Sequence, residues 1–480
     1  MNYSMIRYVI GTVVQMDGAF MLLPLITGLI YSEPAARVFA LVICFSLATG
    51  YLIRGKKPLN TRLYSREGFL CVALSWVVMS VYGSLPFVVS GAIPHWPDAL
   101  FETVSGFTTT GASILTDVEA MPRCILMWRS FTHWIGGMGV LVFMLAIMPM
   151  SGASNMHLLR AESPGPSVGK MLPKLRSTAF ICYAIYTVMT VVQIVLLLCG
   201  GMAPFDAITL SFGTAGTGGF GVLNASCGSY SPYVQIVITV FMILFGINFN
   251  VYFSLYMHRP GEALRNEEMR VYLGIIVAAI LMITFNVHSM FSSIWEALRH
   301  VSFQVGSIIT TTGFSTVDFD LWPSFSKSIL VSLMFIGACA GSTGGGMKIS
   351  RIIIMAKTVF KQISTIVHPN AIKKVLLEGK RVEHEVVRSV NVFMVSYLFI
   401  IAVSTLLISL DNLDMVTNFT AVVATFNNIG PGLALVGPTG NFSMFSDLSK
   451  FVMVFDMLAG RLEIFPMLVL FSPAIWKRNY

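Results

Sequence analysis

Charge is what this chain has least of. Only 11% of its 480 residues are Asp, Glu, Lys or Arg, against 55% apolar, whereas a soluble domain carries about 25% charge. With a mean hydropathy of +0.76, the composition excludes a water-soluble globular fold and requires a polytopic membrane protein. Cysteine is also sparse. Cys44, Cys71, Cys124, Cys182, Cys199, Cys227 and Cys339 are odd in number and scattered, which excludes a disulfide framework and metal-ligand spacing and leaves small apolar packing residues. Clusters of acid, histidine or thiol within the apolar stretches are missing too. Asp17, His133 and His288 stand alone, so the chain does not read as an enzyme.

A nucleotide engine is absent as well. Gly216-Thr217-Gly218-Gly219-Phe220-Gly221 matches the letters of a dinucleotide fingerprint, but no helix of a strand-helix-strand unit follows it and no acidic residue comes about 20 positions later. In Gly341 to Lys348, Met347 intrudes before the lysine and Ile349 replaces the Ser or Thr that a phosphate loop needs. The chain therefore has no nucleotide-driven engine of its own, and any work that it does must be driven or regulated from outside.

What the chain does have is long apolar runs. A membrane span takes about 20 such residues, and the pattern predicts ten, paired as 8–30 and 36–53, 68–90 and 126–150, 177–200 and 232–257, 271–291 and 326–355, and 389–410 and 448–476. The first run contains Gln15 and Asp17 and no small-residue cleavage site, so it is expected to stay as a membrane helix. Asp17 is either a proton or ion ligand or a bundle-facing structural residue. Basic residues concentrate in alternate connections, from Arg54 to Arg66, Arg160 to Arg176, Arg259 to Arg270 and Lys357 to Arg388. These are expected on the cytoplasmic side, together with both termini, and they account for the net charge of +8 without nucleic acid as a partner.

The intervening, outward connections carry one repeated theme: Thr108-Thr109-Thr110-Gly111, Gly216-Thr217-Gly218-Gly219, Thr310-Thr311-Thr312-Gly313 and Asn427-Asn428-Ile429-Gly430. Each follows a stretch too short to span, 97–107, 204–213, 293–309 and 415–426, with Asp98, Asp206 and Ser292 near the starts as helix-initiating residues. A half-helix entering from outside would turn the negative end of its dipole inward. Four glycine segments around one axis would make a carbonyl-lined cation filter. Turns alone would explain one Thr-Gly copy; four copies in matching positions favour the filter.

The expected fold is thus all-α, four tandem span/half-helix/filter/span repeats in pseudo-fourfold arrangement behind an N-terminal hairpin. The divisions are 1–66 for the hairpin and 67–176, 177–270, 271–388 and 389–480 for the repeats. All four repeats share one orientation, which argues against an inverted-repeat transporter.

At these segments the chain resembles the Trk/Ktr/HKT superfamily of potassium transporters, nearest the TrkH/TrkG branch. The likeness runs over essentially the full length and rests also on Phe131 to Gly139, on Ala340 to Lys348, on Asn427 to Gly432 and on Gly460-Arg461-Leu462-Glu463. It implies potassium as the transported ion, no bound cofactor, and filter residues Thr109, Thr110, Gly111, Gly216, Thr217, Gly218, Thr311, Thr312, Gly313, Asn428, Ile429 and Gly430. Channel-like conduction and symport with H+ or Na+ both fit, and the alternative is a secondary transporter of Na+ or a small solute. The resemblance further implies an inner-membrane homodimer working with a cytoplasmic nucleotide-binding regulatory subunit of the TrkA type, for which the basic connection 357–388 is the largest surface.

Three consecutive glycines destabilise a helix by about 1 kcal/mol each, so the eighth span should break at 341–348. The resemblance makes this break an intramembrane gate of Gly341, Gly344, Gly345, Gly346 and Lys348, held by Arg461. Arg461 has donors for carbonyls freed by the break; its alternative is a pair with Glu463 or Asp456. Lys348 either faces the cavity as a barrier to cations or snorkels outward with Arg351. His133 and Trp134 read as interfacial packing residues, and Gly136, Gly137 and Gly139 as a close helix-packing face.

Overall fold

A computed structural model describes residues 1–60, 63–139, 175–369 and 374–473. The expected span residues 140–150 and the basic residues Arg62, Arg160, Lys170, Lys174, Lys373, Lys477 and Arg478 lie outside the described residues. Helices dominate, and the strands found are the two-residue pair Leu376–Leu377 and Lys380–Arg381 within the long basic connection.

Six of the described helices are long and apolar enough to cross a membrane, Tyr3–Ile30, Ala35–Arg54, Arg66–Val89, Phe180–Cys199, Glu267–Met290 and His384–Asp411. A seventh span forms if Pro232–Phe245 and Phe249–Tyr256, bent by 88°, are joined. The sequence predicts ten spans, and the second helix of each repeat is short. These helices are Arg123–Gly137, Pro232–Phe245, Ser324–Ile336 and Asp447–Arg461. The break expected at 341–348 begins earlier, at Gly337, and those at 246–248 and 462–464 are not expected from the sequence. Asn248 starts a new helix by accepting the Asn250 N–H. Glu463 and Ile464 both take positive φ, 58° and 70°, ahead of Pro466 in the first turn of Phe465–Leu470.

The four half-helices are present as Trp96–Phe107, Pro204–Gly216, Ile294–Ile309 and Met415–Phe426. Pro97 and Pro204 sit in the first turn, where their missing N–H costs nothing. The third is capped by Ser293 rather than Ser292, and the fourth by Asp414, whose carboxylate accepts the Thr417 N–H at 2.9 Å.

The N-terminal hairpin is closed by small residues. A Cβ on Gly11 would collide with the Arg54 backbone, and one on Gly50 would lie 2.9 Å from the Gly11 carbonyl. Arg54 then reaches back to Gln15 Oε1 at 3.1 Å and to the Tyr8 hydroxyl at 2.8 Å. At the hairpin tip, Glu33 accepts the N–H groups of Arg123 at 2.7 Å and Cys124 at 2.9 Å. Those amides open the helix Arg123–Gly137, which has no side-chain cap of its own, so the hairpin caps the first repeat in trans.

That capping predicts a measurable loss. Glu33→Ala should lower stability by about 1 kcal/mol, read as a lower thermal midpoint in detergent, and Glu33→Gln, which keeps an acceptor, should lose less.

Candidate functional site

Each half-helix ends in the same turn. The N–H of Thr109, Thr217 and Thr311 reaches back three residues at 3.1 Å, and that of Asn428 at 3.2 Å. The next N–H, from Thr110, Gly218, Thr312 and Ile429, reaches back five residues at 2.8 Å in every copy. This is the Schellman closure of a helix C-terminus, which needs its first residue left-handed. Those residues, Thr109, Thr217, Thr311 and Asn428, have φ of 57°, 56°, 59° and 56°. Glycine is the usual occupant, and a β-branched threonine there carries strain of order 1–3 kcal/mol.

Two residues on, φ turns positive again, at Gly111, Gly219, Gly313 and Gly430. The equivalent glycine of the second segment is therefore Gly219, not Gly218 as the sequence alignment of the repeats had it, and Thr217-Gly218 correspond to Thr109-Thr110. Gly216 corresponds to Thr108. Both of their carbonyls accept the hydroxyl of the following threonine, at 2.6 and 2.7 Å.

The four segments meet in a closed ring. A Cβ on Gly111 would strike the carbonyl of Gly218; on Gly219, that of Thr312; on Gly313, that of Ile429; and on Gly430, that of Thr110 at 2.8 Å. Each glycine thus lies against the residue that precedes the next glycine. Thr108 to Thr110, Gly216 to Gly218, Thr310 to Thr312 and Asn427 to Gly430 are buried, while Gly111, Gly219 and Gly313 are half-buried. Among the described residues no donor reaches the carbonyl oxygens of Thr109, Thr110, Thr217, Gly218, Thr311, Thr312, Asn428 or Ile429. Buried carbonyls without donors call for a cation or water.

The ring is braced from behind. His133 Nδ1 bonds the Gly106 carbonyl at 2.8 Å and its Nε2 takes the Phe220 N–H at 3.2 Å. One carbonyl and one N–H fix a single neutral tautomer that ties the first segment to the second. The expected packing role of His133 thus becomes a hydrogen-bonded strut. Arg129 and Glu102, both buried, pair at 2.7 Å. Glu102 also accepts the Ile114 N–H at 3.0 Å, while Arg129 lies over Phe220. Asn428 joins the fourth segment to the first by donating to Thr110 Oγ1 at 3.0 Å. The Glu102–Arg129 pair was missed in the sequence, where the two residues are separated by a whole connection.

The glycine-rich break lies against this ring. Gly345 donates its N–H to Thr311 Oγ1 at 2.6 Å, and a Cβ on Gly344 or Gly345 would press on the carbonyls of Thr310 or Asn427. Gly337 and Gly346, both at positive φ, close the base of the loop against each other. Gly341 offers its carbonyl to the Phe249 N–H at 2.9 Å. Lys348 is buried, with φ of 76°, and donates to the Gly344 carbonyl, so it does not snorkel. Arg461 donates to Thr343 O at 2.9 Å and to the carbonyls of Gly136 and Gly137. Its alternative partners are engaged elsewhere: Glu463 binds Arg351, and Asp456 accepts from Ser404 at 2.7 Å. Asp17 is buried in the hairpin packing, and its carboxylate has no hydrogen-bond partner among the described residues.

A profile of the TrkH family of cation transport proteins matches residues 35–478. The chain belongs to the TrkH family. It is 37% identical to the Trk system potassium uptake protein TrkH of Salmonella typhimurium over 99% of this chain and 100% of that one. Against the TrkG protein of Escherichia coli K12 it is 33% identical over 99% of its length and 100% of the relative's. The crystal structure of the potassium transporter TrkH from Vibrio parahaemolyticus superposes with a TM-score of 0.90 at 33% identity, covering 99% of this chain and 100% of that one. Membership makes the chain a helical membrane transporter and not an enzyme.

The corrected register has a test. A Cβ on Gly218 collides with the His133 side chain, whereas one on Gly219 collides with the Thr312 backbone carbonyl at a φ of 79°. Gly218→Ala should therefore be largely neutral in a His133→Ala background, while Gly219→Ala should cost about 1–2 kcal/mol in either background. Thermal midpoints of the two double-mutant cycles check this.

Proposed function

We propose that this chain carries potassium across the cytoplasmic membrane through the ring of four glycine segments, which acts as its selectivity filter. The observation that carries the reading is the set of eight buried carbonyls, two per segment, left without donors among the described residues around a closed ring. A potassium ion entering there exchanges its hydration shell for carbonyl oxygen. The half-helices direct the negative ends of their dipoles toward the same place. Relatives of matching length are named Trk system potassium uptake proteins, which supports potassium as the cargo.

In this reading Thr109 to Gly111, Thr217 to Gly219, Thr311 to Gly313 and Asn428 to Gly430 bind the ion. The loop at 337–348 is the gate beneath them, with Arg461 as its fastening to the first and fourth repeats. Lys348, held against the Gly344 carbonyl, supplies positive charge inside the loop. The divisions 67–176, 177–270, 271–388 and 389–480 are the four walls, and 1–66 is the hairpin that caps the first. The basic connections and both termini then face the cytoplasm. The family context also supports a homodimer whose cytoplasmic surface, around 357–388, receives a nucleotide-binding regulator.

Rubidium uptake in cells lacking other potassium systems tests the reading. The intact chain with its regulator should take up rubidium in preference to sodium. Gly313→Ser places a side chain against the Ile429 carbonyl at a φ of 87°, and should cut uptake about tenfold for a strain of roughly 1–2 kcal/mol. Absence of rubidium flux from the intact chain, or an unaltered flux and selectivity in Gly313→Ser, would overturn it. Arg461→Ala should raise flux measured without the regulator, because the loop loses its tie to Thr343.

A further inference from the structure

We infer that Glu268 is the clamp that holds the intramembrane loop shut, a positioning residue for gating at the loop's base. This rests on the reading of 337–348 as the gate.

Glu268 lies in the first turn of the span Glu267–Val287 and is 5% exposed. Its Oε1 accepts the Ala340 N–H at 2.7 Å and the Ser350 N–H at 3.0 Å. These two amides stand on opposite limbs of the loop, one before the glycine run and one after it. A single oxygen therefore pins both ends of the segment whose middle presses on the filter. Its second oxygen accepts from Asn248 Nδ2 at 3.3 Å, at the bend that also binds the loop through Phe249 N–H and Gly341 O.

The chemistry suits a clamp more than simple packing. Ser350 belongs to the first turn of the helix Ile349–Val367, which has no side-chain cap of its own. A carboxylate is favoured at such an N-terminus by its free amides and its dipole. The hydrogen bonds are buried, so removing their acceptor leaves both amides unsatisfied. The neighbouring Glu267 binds Lys357 farther along the same helix and accepts the Glu378 N–H at 3.1 Å. The two adjacent carboxylates thus tie that helix to the start of the span Glu267–Val287. Movement of the helix Ile349–Val367 away from the span Glu267–Val287 pulls Ser350 from Glu268 and lets the two limbs part. Arg461 fastens the loop's tip, whereas Glu268 fastens its root.

The test is rubidium flux into liposomes containing the full chain, measured without and then with the regulator. Glu268→Ala removes both acceptors, and Glu268→Asp shortens the reach; each should raise regulator-independent flux about tenfold by shifting the closed-open balance. Glu268→Gln keeps one oxygen for the two amides and should stay nearer the intact chain, which a role resting on charge alone would not produce. Rubidium-over-sodium preference should be unchanged in all three. A second readout serves if Glu268→Ala or Glu268→Asp fails to fold. Ser342→Cys, with native cysteines replaced, should react faster with a polar thiol reagent when combined with Ser350→Pro, which removes one amide that Glu268 accepts, in a first helical turn where proline is tolerated. Basal flux and Ser342→Cys reactivity both equal to those of the intact background would overturn the clamp. So would a flux gain accompanied by lost rubidium preference, which would place the effect in the filter. No rubidium flux from the intact chain even with the regulator would instead overturn the functional reading beneath it.

Discussion

The contact on which everything else depends is backbone against backbone: a glycine of one segment pressed on the carbonyl of the next, four times around a ring. No side chain can enter that contact, and positive φ removes most alternatives to glycine even where space exists. The positive φ in turn follows from the Schellman turn two residues earlier, which reverses the chain at the end of each half-helix. Helix end, turn and ring contact are therefore one geometric unit, repeated, and an error in any one propagates to its neighbour. The strain of placing threonine in the left-handed position is tolerated because the helix and the ring fix that conformation from both sides.

A ring made in this way has surplus acceptors. Helix C-termini normally give their free carbonyls to solvent or side chains, but here eight carbonyls have no donor among the described residues. Such an arrangement costs free energy unless an ion or water completes it. The polar groups that might have completed it are turned elsewhere. Thr109 and Thr217 spend their hydroxyls on the carbonyls just inside the ring, Thr311 accepts from Gly345, and Asn428 donates to Thr110 and to the Met457 carbonyl. The side chains organise the backbone and leave its oxygens free for the ion that the proposed function places there.

Much of this was legible in the sequence because it is written in turn chemistry. Pro97, Pro204 and the terminal glycines mark the half-helices within a few residues, and the glycine run at 344–346 marks the one break that was foreseen. The register of the second segment was not legible, since Gly216, Gly218 and Gly219 give the same letters to two alignments and only backbone angles separate them. The breaks at 246–248 and 462–464 were hidden for a different reason. Ile247, Leu462 and Ile464 continue an apolar run and mask the local signals beside them, Gly246 and Asn248 at the first break and Pro466 after the second. Asp456 beside Arg461 looked like a ready ion pair, yet a helical neighbour in sequence lost to Thr343, Gly136 and Gly137, which the fold carries to the guanidinium.

The ring is uniform in backbone and unequal in support, and that inequality explains where control attaches. The first two segments are stiffened by His133 and by the Glu102–Arg129 pair, which connect them to each other through Phe220 and Gly221. The third and fourth receive instead the loop at 337–348, through Thr311 and the close approach of Gly345 to Asn427. In the proposed reading the loop is a gate, and a gate cannot also be the permanent brace of the ring. Its polar contacts with the ring are accordingly few and neutral, while its charged ties, Arg461 and Glu268, lie away from the ion path. Opening can then exchange a small number of contacts at the third and fourth segments while the first and second hold the filter in register.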